Sequence, residues 1–441
     1  MAHKMRWKLS CAVLLVFCLL LVGCGQTAQG TDDSETDSGS VGSASSEHET
    51  SPESGTQEIE TGIVPNWDDT SMNGLCLVLP GAKQSTEILI DLAGIMNVQA
   101  VRHWIHATDV LNSPGQANAD KTEQNRLWLT MLQQKGISKI VGMSHYWFQP
   151  ESVDLTGIDT HNAQTSTPYR DPDDPTWQEF LALYEETWYT LAKTYPEILF
   201  WEVGNEVNSD GFLHPYDYAS RGRTFTQDEK AEIVTDMCYY ASRGIHRANP
   251  QAIVIFPGLA PLNGFSGMAT FLERIYRNIE SGRFGEGATD VNCYFQAVAW
   301  HGYVLQGEFN VDDWIAGNNQ MYAVMQKHGD GDKKVFLTEF GFSDGGSRET
   351  DLIQAGYYEQ IFARLDEMPY LDSVYPFRLM EYKSKSNTDP VEIYYGMMRP
   401  FDQTHIGAKE KGKTICSLYG GDLSQLDKYL GDNTVYPDNG E

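Results

Sequence analysis

Basic residues are scarce in this chain: 32 lysines and arginines stand against 61 aspartates and glutamates, a formal net charge of −29 over 441 residues. A surface of that sign repels phosphate backbones, which argues against a nucleic-acid partner. Cysteine is thin as well, with seven in all and no Cys-x-x-Cys spacing, so neither a zinc knuckle nor a dithiol redox motif is indicated. Cys11, Cys18 and Cys24 crowd the N-terminus, while Cys76, Cys238, Cys293 and Cys416 are scattered and read as buried thiols. Histidines at His-x-His or His-x-x-x-His spacing are missing too. With them goes the usual nucleus of a metal-dependent hydrolase.

Large apolar residues are nearly missing from Gly25 to Gly62, a stretch of Ser, Thr, Gly, Asp and Glu. It cannot bury enough surface to offset chain entropy, so residues 24–62 are expected to form a disordered acidic tether. Ahead of it, Lys4, Arg6 and Lys8 precede an apolar run from Cys11 to Val22, the charged-then-apolar layout of an export signal and too short for a membrane span. The run ends in Leu21-Val22-Gly23-Cys24, which resembles the lipobox of bacterial lipoproteins. That resemblance implies removal of residues 1–23, lipidation of Cys24, and a protein anchored to the bacterial cell membrane with its domain facing outward. An ordinary cleaved signal with an incidental cysteine is the alternative.

What is plentiful lies in residues 63–441, where short apolar runs alternate with longer segments of helical period. The strands expected are Gly74 to Leu79, Ala100 to Ile105, Ser138 to Met143, Ile198 to Gly204, Ala252 to Phe256, Ala297 to His301, Lys334 to Glu339, and Ser373 to Met380. Phe180, Tyr184, Trp188 and Leu191 recur at helical steps, as do Ile233, Met237, Ala241 and Ile245; Tyr195-Pro196 and Asn249-Pro250 stop the two runs. Runs that are apolar throughout suit strands covered on both faces. Eight of them suit an α/β fold of the (β/α)8 TIM-barrel type, a single catalytic domain after the tether, with an open doubly wound sheet as the alternative. The weakest elements are the last strand, interrupted by Pro376, and the last helix, whose pattern after Asp402 is thin.

Strand ends are where such a barrel places its working residues. The second runs out at Arg102-His103, the third at His145-Tyr146-Trp147, the fourth at Asn205-Glu206, the sixth at His301-Gly302-Tyr303 and the seventh at Glu339. This ordered set resembles clan A of the retaining glycoside hydrolases, most closely the cellulase-like family 5, with family 39 sharing much of the pattern. The resemblance implies that Glu206 is the acid/base and Glu339 the nucleophile, that Arg102 and Tyr303 support Glu339, that His145 and His301 line the sugar subsite, and that Asn205 bonds the 2-hydroxyl. The chemistry agrees, since retention needs one ionised carboxylate to attack the anomeric carbon and one carboxyl to protonate the leaving oxygen. It calls for no metal and no cofactor.

The chain departs from the pattern at Gly204, where many relatives have Trp, at Val207 in place of a frequent Pro, and at the eighth strand, which offers Phe377, Arg378 and Glu381 for the usual tryptophan floor. Adjacent strand residues face opposite ways, so only one of Arg102 and His103 points inward, whereas His301 and Tyr303 share a side. Trp147 is a candidate for stacking on a sugar face, as are Phe148, Tyr169, Tyr216 and Tyr218, although loop aromatics also anchor loops. The expected activity is hydrolysis of β-linked oligo- or polysaccharides by a monomer. The alternatives are a metal-dependent barrel hydrolase with His103, His145 and His301 as ligands, and a non-catalytic carbohydrate-binding surface lipoprotein.

Overall fold

The structure, a computed structural model, describes residues 73–79, 83–304, 308–381, 390–399 and 407–432. The export segment, Cys24 and the tether at 24–62 lie outside the described residues. Among those described, no helix is long and apolar enough to cross a membrane.

Eight parallel strands follow one another around a nearly closed barrel: β1 (Gly74–Leu77), β2 (Ala100–Trp104), β3 (Lys139–Met143), β4 (Phe200–Glu202), β5 (Ile253–Leu259), β6 (Ala297–His301), β7 (Val335–Phe340) and β8 (Leu371–Pro376). A bridge between Asn73 and Val374 joins the first strand's edge to the last. Each expected strand is present, and its neighbours are its neighbours in sequence, as right-handed βα units require.

Helices α1 (Lys83–Ile95), α2 (Ala119–Gln134), α3 (Pro175–Thr194), α4 (Gln227–Ala248), α5 (Gly264–Glu280), α6 (Val311–Lys327) and α7 (Arg348–Phe362) fill the seven connections. Their ends are set locally. The Asp174 side chain caps α3 with Pro175 at its first turn, and Thr226 and Glu229 form a reciprocal capping box on α4. After β8 come α8 (Glu410–Leu418) and α9 (Leu423–Asp432). The thin pattern beyond Asp402 is compensated by polar ties: Asp351 of α7 accepts from the backbone N–H of Glu410 and Lys411, and the Tyr419 hydroxyl donates to the Gly74 carbonyl at 2.7 Å.

Inside the barrel, Ala100, Val141, Ile253, Ile255, Ala297, Ala299, Phe336 and Tyr375 form an apolar plug with Phe200 packed against it. The outward residues of the same strands, among them Val101, Trp201, Val254, Val298 and Leu337, join the larger core under the helices. Both faces of each strand are thus buried, which is why the runs are apolar without alternation.

Candidate active site

The polar site begins one inward step above the plug. Side chains on one strand face repeat every second residue. Ala100 is therefore followed by Arg102, Phe200 by Glu202, Ala299 by His301 and Phe336 by Thr338, and all four polar groups are buried. The plug gives this layer an apolar floor. Every charge in it then needs a partner.

Arg102 is the hub. Its Nε donates to Glu202 Oε2 at 2.5 Å and its Nη2 to Glu202 Oε1 at 3.1 Å and to Asn205 Oδ1 at 2.7 Å, while Nη1 donates to Glu339 Oε1. Burial opposes its charge, but Glu202 and Glu339 outweigh burial and hold the guanidinium well above its ordinary pKa. Glu202 is completed by the Gly258 N–H at 2.9 Å and the Thr338 hydroxyl at 3.1 Å.

Strict alternation would turn Glu339 outward, since Thr338 already points in. A bulge corrects this. Against β6, Ala299 pairs with Phe336 but His301 pairs with Glu339; against β8, Leu337 pairs with Val374 but Phe340 pairs with Pro376. Both registers place one extra residue in β7, and bulges of this kind re-aim side chains beside active sites. Glu339 thereby comes level with His301 and accepts from Arg102 and, at 2.8 Å, from the Tyr303 hydroxyl. Burial pushes its carboxyl upward, but the His301 and Arg102 charges and the hydrogen bonds from Tyr303 and Arg102 outweigh burial, leaving it below the usual carboxylate range.

Glu206 reaches the same point from the β4 loop. Its backbone sits at φ 47°, a left-handed conformation that is rare for a glutamate and that tends to be held where function needs it. The Glu206 N–H donates to the Gly258 carbonyl at 2.7 Å, and Asn205 bridges to Gly258, so β5 fixes the turn. Gly204 enters that turn at φ 133°, a backbone conformation that L side chains rarely adopt. Gly258 is constrained by contact instead: a Cβ there would lie 2.4 Å from His301 Nε2.

His301 joins the two glutamates, its Nδ1 standing 2.8 Å from Glu206 Oε1 and 3.6 Å from Glu339 Oε2. Burial lowers its basicity, but Glu339 and Glu206 together outweigh burial and leave the imidazole above its ordinary pKa. One oxygen of each glutamate and a nitrogen of His301 all lie within 4.8 Å of one another.

Arg102, Asn205, Glu206, His301, Tyr303 and Glu339 are thus brought together. Trp147 is a correction: its ring is buried against Tyr184 of α3 and its Nε1 donates to the Ser166 carbonyl at 2.6 Å, so it anchors a loop and offers no face to a ligand. His145 is buried in an aromatic cluster, 4.4 Å between ring centroids from both His106 and Tyr146, and makes no hydrogen bond to either glutamate. His103 is buried facing away from Arg102, and burial pushes its pKa down to about 4.

No family model and no curated protein matches the chain. Solved structures do. A family 39 glycoside hydrolase from the gut symbiont Bacteroides cellulosilyticus is similar over 82% of this chain and 65% of its own, at 16% identity and a TM-score of 0.53. A β-glucosidase from Thermotoga maritima is similar over 80% of this chain and 98% of its own, at 13% identity and a TM-score of 0.57. A family 5 glycoside hydrolase from Bifidobacterium longum, solved with Manβ1-4GlcNAc, covers 83% of this chain and 80% of its own, at 12% identity and a TM-score of 0.54. What these proteins share with the chain is the fold. At these identities the residues must speak for themselves.

Sequence reasoning passed over Glu202, Thr338 and the packing behind Tyr303. Glu202 is a strand residue two before Gly204, and the period-two step from Phe200 was the available signal. Tyr395, from the segment beyond β8, and Phe377 pack on the Tyr303 ring at 5.4 and 6.3 Å between centroids. Nothing local in the sequence signals those contacts.

Proposed function

We propose that the chain is a retaining β-glycosidase that cleaves O-glycosidic bonds of a carbohydrate by double displacement. The observation that carries the reading is the approach of a Glu206 oxygen to a Glu339 oxygen within 4.8 Å. Retaining enzymes hold their two carboxyl groups about 5–5.5 Å apart, whereas inverting enzymes need about 6.5–9.5 Å to admit a water between them.

In the first step the Glu339 carboxylate attacks the anomeric carbon, the bond to the leaving oxygen breaks, and Glu206 gives that oxygen its proton. In the second, water attacks the glycosyl ester, Glu206 takes the water's proton, and the Glu339 carboxylate is released. Arg102 and Tyr303 keep Glu339 ionised and aimed, and His301 orients Glu206. Asn205 accepts from Arg102 through Oδ1, which leaves its NH₂ as the group to donate to a 2-hydroxyl as the ring flattens. All these groups come from one chain, so a monomer suffices. With Cys24 lipidated, the domain works at the outer face of the cell membrane, tethered by residues 24–62.

The deciding experiment is proton NMR of the first product released from a β-linked substrate. Retention of the β anomer is expected. The α anomer first would overturn the mechanism, and glycan binding without turnover would favour the sugar-binding lipoprotein.

The convergence of Glu206, His301 and Glu339 also supports a metal reading. Its ligands differ from His103, His145 and His301, the set weighed for the alternative of a metal-dependent hydrolase. The fixed positive charge of Arg102 on Glu339 opposes a dication there, so the glycosidase reading is preferred.

A further inference from the structure

Glu202 spends all its oxygens inside the protein. It accepts from Arg102 Nε and Nη2, from the Gly258 N–H and from the Thr338 hydroxyl, and it is fully buried. A carboxylate so placed cannot meet substrate. It occupies the side of the guanidinium away from Glu339 and leaves one nitrogen, Nη1, directed at that residue.

We propose that Glu202 is a positioning residue that grips Arg102 bidentately, fixing Nη1 against Glu339 and offsetting the positive charge the nucleophile feels. The proposal rests on the reading of Glu339 as nucleophile. Two carboxylates share one guanidinium, so neither holds it fully. Without Glu202 the whole charge of Arg102 would fall on Glu339, and a carboxylate stabilised that strongly is a poor attacking group. The grip also removes the guanidinium's freedom to swing, which matters because small displacements of a reacting group are costly.

The charged and titratable groups facing this pair are Cys76 on β1, Arg102 on β2, His301 on β6, Glu339 on β7, Tyr375 on β8, and Tyr303 and Glu206 in the loops. Burial holds Cys76, Tyr303 and Tyr375 protonated, so the local charge is carried by Arg102, His301 and the glutamates. The test is a ¹³C NMR titration of glutamate carboxyls, with the Glu339 signal assigned by its loss in Glu339→Gln. In Glu202→Gln the midpoint of Glu339 should move down by about one pH unit. Its kcat should fall about 10²-fold with KM little changed. Glu202→Asp keeps the charge but is one methylene short, so the midpoint should stay at the parent value while kcat falls.

An unmoved or raised midpoint in Glu202→Gln overturns the proposal. So does full kcat or a shifted midpoint in Glu202→Asp, which decides the matter if the glutamine variant does not fold. A moved midpoint in a protein that hydrolyses no glycoside would leave the charge relation standing and sink the glycosidase. Turnover with retention beside an unmoved midpoint would do the reverse.

Discussion

Replacing Tyr303 with Phe removes one oxygen and leaves the ring packed against Phe377 and Tyr395. The lost bond is the 2.8 Å donation to Glu339 Oε2, made to an ionised group inside the protein. Bonds to charged groups contribute about 1.5–3 kcal/mol, and those to neutral groups about 0.5–1.5 kcal/mol. Tyr303 favours the charged form of Glu339, so its loss raises the carboxyl and moves the acid limb of kcat/KM upward. One pH unit corresponds to about 1.36 kcal/mol, which makes the expected displacement roughly one unit. Stability follows the same linkage. Because the folded-state pKa of Glu339 is depressed, its contribution is present above the unfolded value near about 4.3 and is lost as pH falls through the folded value. Tyr303→Phe should therefore be less stable than the parent by about 1.5–3 kcal/mol at pH 7, with a smaller difference once Glu339 is protonated in both states. The assays are a pH profile of kcat/KM on an aryl β-glycoside and urea unfolding at neutral and acid pH. An acid limb that stays in place or moves down, or a stability loss independent of pH, would refute the assignment of Tyr303 as a support of the ionised nucleophile.

Glu339→Gln should abolish turnover, and Glu206→Ala should keep it only on substrates with good leaving groups, added azide then releasing a β-glycosyl azide; equal losses on good and poor leaving groups would remove Glu206 as the acid. Activity should survive chelation, and stoichiometric zinc lost together with turnover would move the assignment to a metal hydrolase. Cys24→Ser should shift the protein from the membrane fraction to the soluble one at unchanged specific activity, and persistent fatty-acid labelling of that variant would contradict the lipobox. Limited proteolysis should cut first within residues 24–62, and a melting point lowered by deleting them would show that they pack on the domain.

The barrel was legible because each strand is an apolar run covered on both faces, and the runs stand out against helices that end at Pro196 and Pro250. Residues at strand ends were legible for the same reason, as Arg102, Glu206, His301 and Glu339 stand where those runs stop. Burial was not. Trp147 and His145 follow a strand in the way a site residue does, and the packing of Trp147 on Tyr184 and of His145 on His106 and Tyr146 shows only in the structure. Register was hidden as well: alternation alone aims Glu339 at the helices, and the extra residue in β7 is visible only in its pairing with both neighbours.

The site closes into one chain of groups, Glu202 to Arg102 to Glu339 to His301 to Glu206, in which acid and base alternate along the hydrogen bonds and ion pairs. That order explains how so many ionisable groups stay buried. Each interior member touches two of opposite character, so the desolvation of every charge is offset on both sides. The two ends differ. Glu202 is closed off by Gly258 and Thr338, whereas Glu206 ends the chain with His301 as its hydrogen-bonded partner. His301 stands between the two glutamates, and Arg102 is held by Glu202 on one side and Glu339 on the other. In the proposed double displacement, attack by Glu339 and proton transfer by Glu206 would fall on the two carboxylates that His301 joins, with Arg102 gripped by Glu202 on the far side.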